Sequence, residues 1–103
     1  MAALIRRAEA AGDSAMLLHR GDPDRGALLL VVIQRGEYRA CLERQLAMSG
    51  DYCWFVTGPA TDSTAESRAN HLSSRLRFDP DSWAIELNVA DAERFIAETI
   101  ATG

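Results

Sequence analysis

Ala27-Leu28-Leu29-Leu30-Val31-Val32-Ile33 is the longest apolar run in the chain, and Gln34-Arg35-Gly36 closes it. Seven residues make a strand, well short of the ~18 needed to cross a bilayer. A strand with no polar alternation is apolar on both faces, so the run reads as a central strand with cover on each side. The fold is therefore organised around a sheet.

Asp-Pro-Asp stands before this strand, in Gly21-Asp22-Pro23-Asp24-Arg25-Gly26, and recurs in Arg77-Phe78-Asp79-Pro80-Asp81-Ser82. Proline fixes its own φ and pushes the preceding residue out of helical space, while aspartate bonds nearby backbone amides. Both tripeptides are turn formers. Ser14 to Arg20 precedes the first, so it is expected to form a hairpin with the apolar strand.

Beyond Gly36, residues 37–47 alternate. Tyr38, Ala40, Leu42 and Leu46 share one face, and Glu37, Arg39, Cys41, Glu43 and Gln45 share the other. Ser49-Gly50-Asp51 is a turn into Tyr52-Cys53-Trp54-Phe55-Val56-Thr57, which Gly58-Pro59 ends. With that turn, Met48 faces Tyr52 and Ala47 faces Cys53. Four strands joined by short loops make an antiparallel meander.

Helical spacing appears at residues 2–11, where Leu4, Ile5, Ala8 and Ala11 share a face and Gly12 is the stop. It returns at 63–76, where Ser63-Thr64-Ala65-Glu66 matches a capping box and Ala65, Ala69, Leu72 and Leu76 form the apolar stripe. Arg68, His71 and Arg75 lie on another face, expected to be solvated or paired with acids of a neighbouring loop. Trp83, Ile85, Leu87 and Val89 alternate as a fifth strand, and Asp91 caps a last helix with Ala92, Phe95, Ile96 and Ile100 as its stripe. The expectation is a single α+β domain over residues 1–103. It has a mostly antiparallel sheet of about five strands, helices packed on it, and the order αββββαβα. The two later helices are expected to share one face of the sheet.

Composition narrows function. All eleven basic residues are arginine. The absence of lysine excludes Schiff-base, pyridoxal-phosphate and Walker-type chemistry. The formal charge is −4, and the arginines are interleaved with acids, which argues against nucleic acid as a partner. No run suits a membrane span, and the N-terminal residues do not read as a secretory signal, so the cytoplasm is the expected compartment. Cys41 and Cys53 fall on adjacent strands roughly 20 Å apart, too far for a disulfide, and are expected to be free thiols.

Arg20, Asp22, Arg77, Asp79 and Trp83 are the candidate ligand residues. Arginines left partly unpaired beside the turns could hold a small carboxylate or phosphate against the indole. Arg20, Arg25, Arg77 and Arg75 could equally tie the turns together as an Arg–Asp network. If instead Asp22, Asp24, Asp79 and Asp81 converge, they could hold a divalent cation, as in a small hydrolase. Neither turn follows an EF-hand, and two independent turns explain the aspartates without chemistry. His19 and His71 lack a nucleophile motif. No cofactor is expected.

The residues therefore favour a non-enzymatic binding or interaction module. Large apolar groups on both faces of strand 52–57 suggest pairing with a second copy, giving a homodimer that also meets an unknown protein or small-anion partner. The metal-dependent hydrolase is the alternative.

The segments Ala3-Leu4-Ile5-Arg6-Arg7-Ala8-Glu9, Arg20-Gly21-Asp22-Pro23 and Leu76-Arg77-Phe78-Asp79-Pro80-Asp81-Ser82-Trp83-Ala84-Ile85-Glu86-Leu87 resemble an uncharacterised alphaproteobacterial family, domain of unknown function 1491. The Arg-Phe-Asp-Pro-Asp-x-Trp stretch is the most specific part. The resemblance implies no activity, cofactor or catalytic residue.

Overall fold

The structure is a computed structural model and describes residues 14–22, 27–46 and 48–102. The helix expected over residues 2–11 lies outside them, as do Asp24 and Arg25.

Five strands form one sheet: β1 (Ser14–His19), β2 (Leu28–Gln34), β3 (Glu37–Leu46), β4 (Tyr52–Val56) and β5 (Trp83–Asn88). Two helices complete the described chain, α1 (Ala65–Phe78) and α2 (Ala92–Thr102). The strands lie in the order β1-β5-β2-β3-β4. All neighbours are antiparallel except β2 and β5, which run parallel. The α+β class and five strands are as the sequence indicates.

The expected hairpin between β1 and β2 does not form, because β5 lies between them. The apolar run explains this. β2 has two neighbours in either arrangement, but with β5 beside it the two most buried strands lie together in the sheet and the more exposed β1 takes the edge.

The sheet alternation sets up two faces. Leu28, Leu30 and Val32 of β2 align with Trp83, Ile85 and Leu87 of β5, and with Leu42 and Trp54 they form the main core. Phe95 and Ile96 of α2 pack against it. Asp91 caps α2 as expected, accepting from the Arg94 amide at 3.1 Å. Gln34 Oε1 accepts from the Ala92 amide at 2.8 Å, tying the helix start to the end of β2.

α1 lies over the opposite face, so the helices do not share one side. The residues that line the space between helix and sheet show this: Arg68, Ala69, His71 and Leu72 from α1, and Val31, Ile33, Cys41 and Glu86 from the sheet. Thr64, not Ser63, is the N-cap, with its side chain accepting from the Ser67 amide at 3.0 Å. The helix has no fully buried residue.

Two register features depart from simple alternation. Leu46 faces Tyr52 and Gln45 faces Cys53, so the β3–β4 connection is two residues longer than Ser49-Gly50-Asp51 alone implies. Both cysteines are free. On β3, Ala40 faces Val32 but Tyr38 faces Ile33, leaving Arg39 as an extra residue. That bulge turns Tyr38 to the face of Cys41, where strict alternation puts it with Ala40 and Leu42. Just beyond, Arg35 and Gly36 make a two-residue turn with φ of 52° and 79°, the positive pair that a tight hairpin needs.

Candidate functional site

Asp22, the first residue of one Asp-Pro-Asp, meets the second Asp-Pro-Asp turn. The Asp22 amide donates to the Asp81 carbonyl at 2.9 Å, and Trp83 Nε1 donates to the Asp22 carbonyl at 2.8 Å. His19 Nδ1 lies 2.9 Å from the Ser82 carbonyl. Gly21 permits this closeness, since a Cβ there would stand 2.1 Å from the Asp81 oxygen. Asp79 Oδ1 accepts from the Asp81 amide at 3.2 Å, closing its own turn, while the Asp79 amide ends α1 by donating to the Arg75 carbonyl at 3.0 Å.

Asp22, Asp81 and Trp83 are thus brought together mainly through backbone groups. Arg20 and Arg77 are exposed near this junction, Arg77 in the last turn of α1. Among the described residues, the ion pairs are Arg75–Glu43 and Arg94–Glu98, and neither uses an aspartate of the turns. Arg75, expected to join the loop network, pairs with a strand instead. No group of three or more His, Cys, Asp or Glu residues that could hold a metal occurs among the described residues.

A cavity of about 260 Å³ lies beneath α1. Its walls include Leu18, Val31, Ile33, Ala69 and Leu72, and its polar groups come from Tyr38, Cys41, Arg68, His71 and Glu86. Tyr38 donates to the Pro59 carbonyl at 2.9 Å. Arg68 donates to the Ser63 carbonyl, and its guanidinium stacks 4.9 Å from the Tyr38 ring centroid. Arg75 donates to the buried Glu43 carboxylate. The helix face expected to be solvated or paired with loop acids is instead turned towards the sheet, because Glu43 and the Tyr38 ring on β3 receive its cations. Burial pushes the Cys41 thiol up to about 11, with the nearby Glu43 acting in the same direction. Burial also raises the Tyr38 phenol.

The sequence alone does not reveal this cavity. Arg68, His71 and Arg75 at helical spacing gave a signal, but the residues they face come from strands whose order the sequence did not reveal.

β4 is an edge of the sheet. Tyr52, Phe55 and Val56 are exposed there by 55%, 43% and 59%. Arg44 lies over the Tyr52 ring at 4.7 Å from its centroid.

Comparison with known proteins bears on this geometry. The family model described as "Protein of unknown function (DUF1491)" matches residues 1–97. The chain belongs to the DUF1491 family. A crystal structure of a DUF1491 family protein from Caulobacter crescentus CB15 superposes with a TM-score of 0.77 at 29% identity, covering 91% of this chain and 87% of that one. An NMR structure of a DUF1491 family protein from the same organism gives 0.73 at 29% identity, covering 88% and 82%. A solution structure of a protein from A. tumefaciens shares the fold, with a TM-score of 0.65 at 24% identity over 87% and 81%. No protein with a curated description matches. Membership confirms the expected kinship and assigns DUF1491 proteins no activity.

Proposed function

We propose that this DUF1491 protein is a non-enzymatic interaction module that pairs with a second copy of itself through the β4 edge. The observation that carries this reading is the edge itself. Tyr52-Cys53-Trp54-Phe55-Val56 contains no charge and no proline, and its three largest exposed groups are apolar. Edge strands are ordinarily guarded by charge, proline or a bulge. β1, at the other edge, has such an irregularity between Leu17 and His19, and β4 has none among its pairs.

The strand is also self-complementary. The Thr57 amide donates to the Cys41 carbonyl at 3.0 Å, so odd-numbered residues of β4 point their backbone groups at β3. Tyr52, Trp54 and Val56 then direct theirs outward. Antiparallel pairing with a copy, centred on Trp54, uses those groups and sets Tyr52 opposite Val56 of the copy in both directions. Aromatic and β-branched residues make favourable cross-strand pairs. A two-fold axis through Trp54 closes the assembly at two copies.

The exposed Arg20 and Arg77 beside the turn junction make a small carboxylate or phosphate the second partner of this reading, with Asp22, Asp79 and Trp83 shaping the site. Two reduced thiols suit the cytoplasm. The hydrolase alternative, with Asp22, Asp24, Asp79 and Asp81 around a cation, has no observation in its favour among the described residues.

Sedimentation of the chain over micromolar to millimolar concentration tests the pairing. A dimer is expected, together with slowed amide exchange at Tyr52, Trp54 and Val56. The Tyr52→Asp/Val56→Asp variant sets like charges opposite one another and should be monomeric and folded. A wild-type chain that stays monomeric throughout would refute the proposal.

A further inference from the structure

The cavity under α1 contains polar groups that the fold does not use. Tyr38 and Arg68 are engaged, with the Pro59 and Ser63 carbonyls respectively. Glu86 and His71 are not. Glu86 lies on β5, flanked by Met16 of β1 and Val31 of β2, and has no ion-pair or hydrogen-bond partner among the described residues. His71 Nε2 is enclosed and also without a partner.

A carboxylate on a central strand of a small sheet is costly to keep partly desolvated without a partner. The fold has acids with partners close by, since Glu43 on β3 has Arg75. Glu86 instead opens into a space of about 260 Å³ with aliphatic walls. Small-molecule sites have this composition: mostly apolar, with a few convergent polar groups.

We propose that this cavity binds a small organic amine, a cationic N–H head on an apolar body. The two unengaged groups decide the head. Carboxylate oxygens only accept, and an imidazole Nε2 accepts when its proton is on Nδ1. Two acceptors call for a ligand that donates, and the carboxylate calls for one that is positive. The apolar body lies against Val31, Ile33 and Leu72. An anionic ligand would meet Glu86 with the wrong sign, although Arg68 lines the same space. The net charge of −4 favours entry of a cation.

The test titrates benzylamine into the whole chain and follows backbone amide shifts, with benzyl alcohol and benzoate as matched controls. Shifts are expected to cluster at Val31, Cys41, His71, Leu72 and Glu86. Benzyl alcohol should bind about tenfold more weakly, the loss expected on replacing a charge-assisted hydrogen bond by a neutral one. Benzoate should bind more weakly still. Glu86→Gln should lower benzylamine affinity about tenfold and leave benzyl alcohol unchanged. Benzoate or benzyl alcohol binding as tightly as benzylamine would overturn the proposal, as would shifts scattered over the surface or no binding at all. The ligand series on the wild-type chain decides even if the variant fails to fold.

Discussion

Removing Arg75 should destabilise the domain far more than removing Glu43. The Glu43 side chain is 3% exposed on β3, whereas Arg75 on α1 is 33% exposed, and the two are joined by a charge-assisted hydrogen bond. Arg75→Leu leaves a buried carboxylate without its partner. Breaking a buried pair from one side costs about 3–5 kcal/mol, and the partial exposure of Arg75 reduces this to about 2–4 kcal/mol. The whole domain is worth only about 5–15 kcal/mol. At about 4–8 °C per kcal/mol for a chain of this size, Tm should fall by about 8–30 °C. Glu43→Gln leaves a neutral amide and a guanidinium that can turn to water, at about 1 kcal/mol. The double variant Glu43→Leu/Arg75→Leu should recover most of the loss, because an apolar pair of similar volume often replaces a buried ion pair at little cost. Urea unfolding of these three variants beside the wild type measures each loss. Equal losses in both single variants, or no recovery in the double, would refute the claim that an unpartnered buried carboxylate is the source.

Cys41 should make stability fall at alkaline pH. Its folded-state value, about 11, lies above the ordinary thiol value of 9.0, so the folded chain keeps its proton while the unfolded chain loses it. The contribution is fully present below about pH 9 and lost as pH rises to about 11, amounting to about 2–3 kcal/mol. Urea midpoints at pH 7.5 and 10.5 should therefore separate more in the wild type than in Cys41→Ala, and identical separations would contradict this. Gly21→Ala should cost at least about 2 kcal/mol, because the new methyl meets the Asp81 backbone oxygen at 2.1 Å and must part the two turns. A Gly21→Ala chain with unchanged thermal unfolding and an unshifted Trp83 indole resonance would show that the turns can separate freely.

Local pattern was enough for most of the elements. The apolar run at Ala27–Ile33, the alternation of Trp83–Leu87 and the cap at Asp91 each specify their own segment through side-chain period or backbone bonding, and β2, β5 and α2 follow. Strand order was not legible in the same way. β5 enters between β1 and β2 across more than fifty residues of chain, and nothing in Ser14–His19 or Leu28–Gln34 states which neighbour each will have. The meeting of Asp22 with the second Asp-Pro-Asp turn is a result of that order. β2 and β5 run parallel with Leu28 beside Trp83, so Asp22, ahead of β2, lies next to the turn that enters β5. The turn at Asp79 was readable alone, and its contact with Asp22 was not. The apolar excess of β4 was readable, because it is a property of five consecutive residues, but its place at an edge was not, since that follows from strand order.

The bulge at Arg39 links these levels. One extra residue turns Tyr38 over to the α1 side, where its hydroxyl bonds the Pro59 carbonyl and its ring receives Arg68. Arg75 reaches Glu43 seven residues further along the helix, about 10 Å at 1.5 Å per residue. Two arginines therefore hold α1 at separate points over β3, and the helix needs no fully buried side chain to stay there. Between those points lie His71 and Leu72, over the cavity. A helix held by an apolar stripe would have closed onto the sheet, as α2 does with Phe95 and Ile96. Long side chains at two points keep α1 at a distance instead, and that distance is what gives the buried thiol, the unpartnered imidazole and Glu86 a shared space.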